Sequence, residues 1–148
     1  VLDADQELFW TKFYRSELAR VAADMSNSQR IRTLCTGVTV DRKEPEATAG
    51  TFPVKLIVVR DDGTTDASII SGQTSIGVSV LAGSRENPID AMDLARIVKA
   101  ITKTAARVEA GNPVADIRDV TGPYLVPEAA LRARAYLNFT AVTVGGAL

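Results

Sequence analysis

Asp61, Asp62 and Asp66 bring three carboxylates close together in a chain that contains no histidine. Such a group could hold a hard cation, but the ligand spacing of an EF-hand loop is absent. Asp61-Asp62-Gly63-Thr64 reads instead as the solvated tip of a hairpin, with Asp-Gly at its centre. Gly83-Ser84-Arg85 lies just ahead of a helical pattern, where free N–H groups and the helix dipole favour an anion. The glycine and Lys-Ser/Thr spacing of a phosphate-binding loop is missing, so this segment reads as an ordinary strand-to-helix turn. Cys35 is the only cysteine, which excludes an internal disulfide and suits a reducing cytoplasm. Within an alternating segment it reads as a buried small hydrophobe. The lack of histidine removes the commonest general base, the Ser-His and Cys-His pairs and the commonest zinc ligand. No catalytic, cofactor-binding or metal-binding residue is assigned, and the chain reads as something other than an enzyme.

Charge narrows the partners. The net charge of -1 gives no electrostatic excess to displace counterions from a nucleic acid. Arg15, Arg20, Arg30 and Arg32 could still gather into a local basic surface near the end of the first helix. No apolar run approaches the roughly 20 residues needed to cross a bilayer. The opening Val1-Leu2-Asp3-Ala4-Asp5 is too acidic for a signal peptide.

The elements that must position these residues follow from hydrophobic period. A first helix is predicted over about 4–25, with Asp3 and Gln6 at capping-box spacing and Trp10, Tyr14, Leu18, Val21 and Met25 on one stripe. Phe9 and Phe13 widen that stripe beyond what a small sheet usually covers. Core packing accounts for these aromatics, and the sharper alternative is that Phe9, Trp10 or Phe13 packs against another subunit. A strand is predicted over 31–40, then an exposed loop over 41–51, which is charged, then rich in Ala, Gly and Thr. Arg42, Lys43, Glu44 and Glu46 in this loop are the candidate partner contacts that would set register with a neighbour.

A second strand over 53–60 is apolar on both faces, with Val54, Leu56 and Val58 on one and Ile57 and Val59 on the other. A returning strand over 66–71 follows the hairpin, and another ends near Ala82 with Ile76, Val78 and Val80 on its apolar face. Asn87 is placed to cap a helix, Pro88 fits its first turn, and Leu94, Ile97, Val98, Ile101, Ala105 and Val108 form its stripe before a Gly111 cap. A strand over 114–120, a turn at Thr121-Gly122-Pro123-Tyr124, an irregular stretch at 127–130 and a last strand over 136–144 complete the chain. In that strand Leu137, Phe139 and Ala141 oppose Tyr136, Asn138, Thr140 and Val142. The order predicts a single α+β domain over 1–148, with a mostly antiparallel sheet of about five strands and two long helices packed on one face.

The second half carries further strings: Val80-Leu81-Ala82-Gly83-Ser84, Asn87-Pro88, Asp93-Leu94-Ala95, Val114-Ala115-Asp116-Ile117, Thr121-Gly122-Pro123 and Ala135-Tyr136-Leu137-Asn138-Phe139. Together with the hairpin around Val54-Lys55-Leu56-Ile57-Val58-Val59-Arg60, their order over about 53–144 resembles tail terminator proteins of long-tailed bacteriophages. The resemblance implies a structural virion protein, made in the host cytoplasm and located at the tail-neck junction. It implies a homo-oligomeric ring, commonly hexameric, that caps the tail tube protein and meets a neck or head-completion protein. It also implies no cofactor and no turnover, while the charge and the lack of a long apolar run set the expectation of no membrane and no sequence-specific nucleic acid. The competing expectations are another phage neck or tail-completion protein and a small ligand-binding α+β domain.

Overall fold

A computed structural model describes residues 2–45, 53–66, 71–106, 112–127 and 132–144. Within these lie three helices and five strands: α1 (Leu2–Ala23), α2 (Gln29–Cys35), β1 (Thr39–Asp41), β2 (Leu56–Asp66), β3 (Ser71–Ala82), α3 (Ile89–Thr102), β4 (Val114–Val126) and β5 (Ala133–Val144). The strands form one sheet in the order β1-β2-β3-β5-β4. Short β1 runs parallel to β2 and every other pairing is antiparallel, so the class is α+β with a mixed, mostly antiparallel sheet.

Register explains the core. β3 and β5 pair Ile76 with Phe139, Val78 with Leu137 and Val80 with Ala135, so their apolar side chains lie on one face. Those residues share a single buried cluster with Trp10, Tyr14 and Leu18 of α1 and with Leu94, Ala95 and Val98 of α3. Full burial of side chains such as Leu94 and Val98 contributes about 1.5–3 kcal/mol each before entropy is subtracted. Trp10 meets Phe139 at 4.8 Å between ring centroids, which fixes α1 over the sheet. Tyr14 reaches α3 with a buried hydrogen bond of 2.7 Å to Thr102. Ile97, on the predicted stripe of α3, is only partly buried.

Several local expectations are corrected. The strand predicted over 31–40 is a third helix, α2, followed by three residues of strand. Ser28 accepts a hydrogen bond from the Ile31 N–H at 3.2 Å, and Ile31, Leu34 and Cys35 then fall on one helical face. A short apolar run fits either period, and here the cap decides.

Asp61-Asp62-Gly63 is no hairpin tip, because β2 continues to Asp66 and pairs with β3 as far as Gly72. The register shifts between Asp61 and Gly63, and Gly63 adopts a φ of 133° that a side chain would strain. Asp66 therefore ends the outgoing strand and Ser71 starts the return, while residues 67–70 lie outside the described residues.

Asn87 does not cap α3; its N–H donates to Ser84, and Pro88 holds the cap position without a side-chain hydrogen bond. The same helix ends at Thr102, well short of Gly111, and Arg107, Val108 and Gly111 lie outside the described residues.

Thr121-Gly122-Pro123-Tyr124 is not a turn but an irregular part of β4. Register shifts on both sides of Thr121 absorb the extra residues, and Gly122 takes a φ of 98° beside a cis bond to Pro123. β4 is an edge strand, where proline removes no ladder bond that a neighbour needs. Finally, Val54 does not share the burial of Leu56 and Val58, since it is 65% exposed.

Candidate association surface

The three aromatic candidates of α1 separate by depth. Trp10 is fully buried, so it reaches no surface of the protomer. Its indole Nε1 has no hydrogen-bond partner among the described residues. Phe9 and Phe13 are half-buried and stack on each other at 5.9 Å, each edge-on to Trp10. They form a rigid aromatic patch at the rim of the core, with exposed Leu8 beside it in sequence.

The loop candidates separate as well. Arg42 and Lys43 are exposed. Glu44, expected to reach a neighbouring subunit, instead folds back and accepts a hydrogen bond from the Arg134 guanidinium of β5 at 2.5 Å. Its contact is therefore within the protomer, over the beginning of β5. Glu46 lies outside the described residues, as do the other residues from 47 to 51 of the predicted loop.

That ion pair opens onto the face of the sheet opposite the main core. Along β5, Ala133, Ala135, Leu137, Phe139 and Ala141 are buried while Arg134, Tyr136, Asn138 and Thr140 are half-exposed. This is the alternation expected where one sheet face is covered and the other is not. On the outer face Leu56, Val58 and Leu81 make a small buried cluster of their own. Beyond it Tyr124 and Tyr136 meet edge to face at 5.7 Å. Tyr136 passes over Gly77, where a Cβ would collide with the phenol oxygen and would stand 2.7 Å from Asp62 Oδ2.

The Tyr136 hydroxyl donates to Asp62 at 3.4 Å, and Arg60 lies 3.8 Å from the same carboxylate. Partial burial, and then the Asp62 charge, push the Tyr136 phenol above its usual range against the opposing pull of Arg60. This group keeps its proton at neutral pH and acts as an aromatic with a polar handle. The opposition of Tyr136, Asn138 and Thr140 to the buried residues was readable from period. The company they keep was not, because Asp62, Tyr124 and Gly77 join them only through pairing register.

The four arginines do not form a basic surface. Arg15 donates to the Val40 carbonyl at 2.7 Å, Arg20 pairs with Glu17 at 2.7 Å, and Arg32 donates to the Asn27 carbonyl at 3.1 Å. Arg30 bridges to α3, donating to Asp90 at 3.0 Å and Asp93 at 2.9 Å. These carboxylates, Asp93 foremost, raise the Arg30 pKa further and keep it charged. Cys35 is buried in α2, and burial pushes its thiol up, away from the thiolate a nucleophile needs.

Among the described residues no group of three or more Asp, Glu or Cys side chains is arranged to hold a metal ion. Asp61 instead receives the Gly63 N–H at 2.8 Å. Among these residues, too, no helix is long and apolar enough to cross a membrane. A groove of about 460 Å³ runs between α1 and the α2–β1 connection, lined by Leu18, Ala19, Ala22, Cys35 and Val38. No family model matches the chain, and no curated protein matches it either.

Proposed function

We propose that this protein is a structural subunit that associates head to tail into a ring, at the junction between a phage tail tube and the neck. The observation that carries the reading is a pair of unlike aromatic patches on different sides of the domain. One is the Tyr124–Tyr136 pair on the sheet face away from the main core. The other is the half-buried Phe9–Phe13 stack on α1. Aromatic residues held rigid at a surface are the usual anchors of protein interfaces. Two different patches suit a heterologous contact, in which rotation brings one patch of each copy against the other patch of the next and closes a ring.

In this reading the two long helices serve as one packing layer and leave the opposite sheet face for a neighbour. The tail-neck station, and the partners there, rest on the resemblance of the 53–144 region to tail terminators. The chain has no turnover to perform and requires no cofactor. A ligand-binding domain is the competing reading, favoured by the apolar groove beside Cys35.

The test uses two surface variants. Tyr124→Glu breaks one patch and Phe9→Glu the other, with melting curves to verify that each remains folded. Each alone fails to form rings. Mixed, they form a one-to-one dimer and stop there, because only one of the two interfaces between them is intact. Rings formed by either single variant would refute the assignment of these patches.

A further inference from the structure

We infer that a second site, on the opposite side of α2 from the apolar groove, binds an oxyanion. The cleft has a volume of about 310 Å³ and lies between α2, the residues leading into β2 and the start of α3. Three cations line it, Arg30, Lys55 and Arg132, against one carboxylate, Asp90. Leu34 and Val54 supply apolar walls. An excess of cations on a chain of net charge -1 is local, and it arises from three separate parts of the fold.

Two of the cations, Lys55 and Arg30, are held in place by what they already bind. The Lys55 ammonium donates to the Thr33 carbonyl at 2.7 Å and the Leu34 carbonyl at 3.2 Å, at the C-terminal end of α2. A third N–H of that ammonium remains for a ligand. Arg30 gives a single Nη2 to both Asp90 and Asp93, which orients the guanidinium and leaves the rest of its donor fork uncommitted among the described residues.

Arg132 is the telling member. Its Nε is buried and has no hydrogen-bond partner among the described residues. Arg132 as a whole is half-buried, so its charge is not sealed from water, but a donor N–H buried without an acceptor is unfavourable, and an anion in the cleft would satisfy it. The turn ahead of α3 is already used: Ser84 and Asn87 exchange backbone hydrogen bonds of 3.1 and 3.3 Å, and Gly83, at a φ of 63°, has room for no Cβ. The turn is therefore a wall of the cleft, and the side chains are the binders.

Guanidinium forks and an ammonium on one cleft match the oxygens of a phosphate or a carboxylate. The group could arrive as a free small anion or on an acidic side chain of a second copy. The site does not depend on the ring reading, since a monomer can carry it.

The test is an amide NMR titration of the full chain with sodium phosphate and, separately, sodium succinate, each against sodium chloride at equal ionic strength. Expected are saturating shifts of the Leu34 and Gly83 amides, with the Gly122 amide as an unmoved control. Arg132→Gln weakens binding by about tenfold or more, since it removes a charge-assisted donor pair. Val54→Glu, at an exposed rim position, places a carboxylate over the cleft and blocks binding while the fold persists. Sedimentation in chloride and in phosphate identifies the source: phosphate that dissociates an oligomer points to a neighbour's acidic group, and an unchanged state points to a free anion. Linear, unsaturated shifts with both probes and assembly indifferent to phosphate would overturn the site. So would an Arg132→Gln protein that binds as the wild type does.

Discussion

Tyr14→Phe should reverse its effect on stability as the pH rises. Tyr14 is fully buried, and its hydroxyl meets Thr102 Oγ1 at 2.7 Å. The Thr102 hydroxyl gives its only hydrogen to the Val98 carbonyl, also at 2.7 Å, so Tyr14 must be the donor between them. Removing the phenol oxygen leaves Thr102 satisfied as a donor and takes away one acceptor interaction, which costs about 0.5–1.5 kcal/mol near neutral pH. Burial raises the Tyr14 pKa well above the ordinary value, and the Thr102 hydrogen bond offsets only part of that.

The folded state thus holds this proton more tightly than the unfolded chain does. The stabilisation is complete below about pH 10, the unfolded value, and is lost as the pH rises from there toward the folded pKa. The loss is about 1.4 kcal/mol per pH unit in the wild type and absent in the variant. The two stability curves should therefore cross between about pH 10 and 11. Urea unfolding from pH 8 upward, on both proteins in the same buffers, measures the difference while all other titrating groups cancel. Curves that stay parallel throughout would refute the burial of the Tyr14 phenol and the raised pKa that follows from it.

Backbone positions give two more expectations. Gly122→Ala should destabilise by about 2–4 kcal/mol, from left-handed strain and from overpacking. Its φ is 98°, and a Cβ there would stand 2.7 Å from the Tyr136 backbone oxygen and 3.1 Å from Leu137 Cα. Gly37→Ala, at a φ of 72° with nothing within 4 Å, should lose only the strain, and urea midpoints of the two separate clash from conformation. Ser28→Ala should lower stability by about 1 kcal/mol by removing the α2 cap, and a double variant with Gln in place of Arg30, measured by chemical unfolding, should show whether the α2–α3 bridge depends on that helix.

Much of the framework was legible because it rests on period. The α1 stripe, the alternation of 76–80 and the opposition of Leu137 and Phe139 to Tyr136 and Asn138 each follow from one face being buried. What escaped depended on local chemistry or on distant pairing. Ser28 turned a short apolar run into a helix. Gly63 and Gly122 looked like turn residues, yet in the sheet they relieve bulges, since the same positive φ serves both purposes.

The candidate site was legible in part. Phe9 and Phe13 emerged as surplus to a small core, whereas Trp10 could not be told from them by spacing. Glu44 looked free because its partner, Arg134, is distant in sequence. Tyr124 and Gly77 meet Tyr136 because β5 pairs with both β4 and β3, and Asp62 because β2 lies beyond β3, facts of topology that no local window contains.

The most direct test of the central claim is the mass of the purified protein in solution across a wide concentration range, read by light scattering with electron microscopy of the same samples. A head-to-tail association predicts a closed ring of defined stoichiometry that Tyr124→Glu abolishes. A strict monomer at every concentration, which also fails to collect on the ends of purified tail tubes, would contradict it.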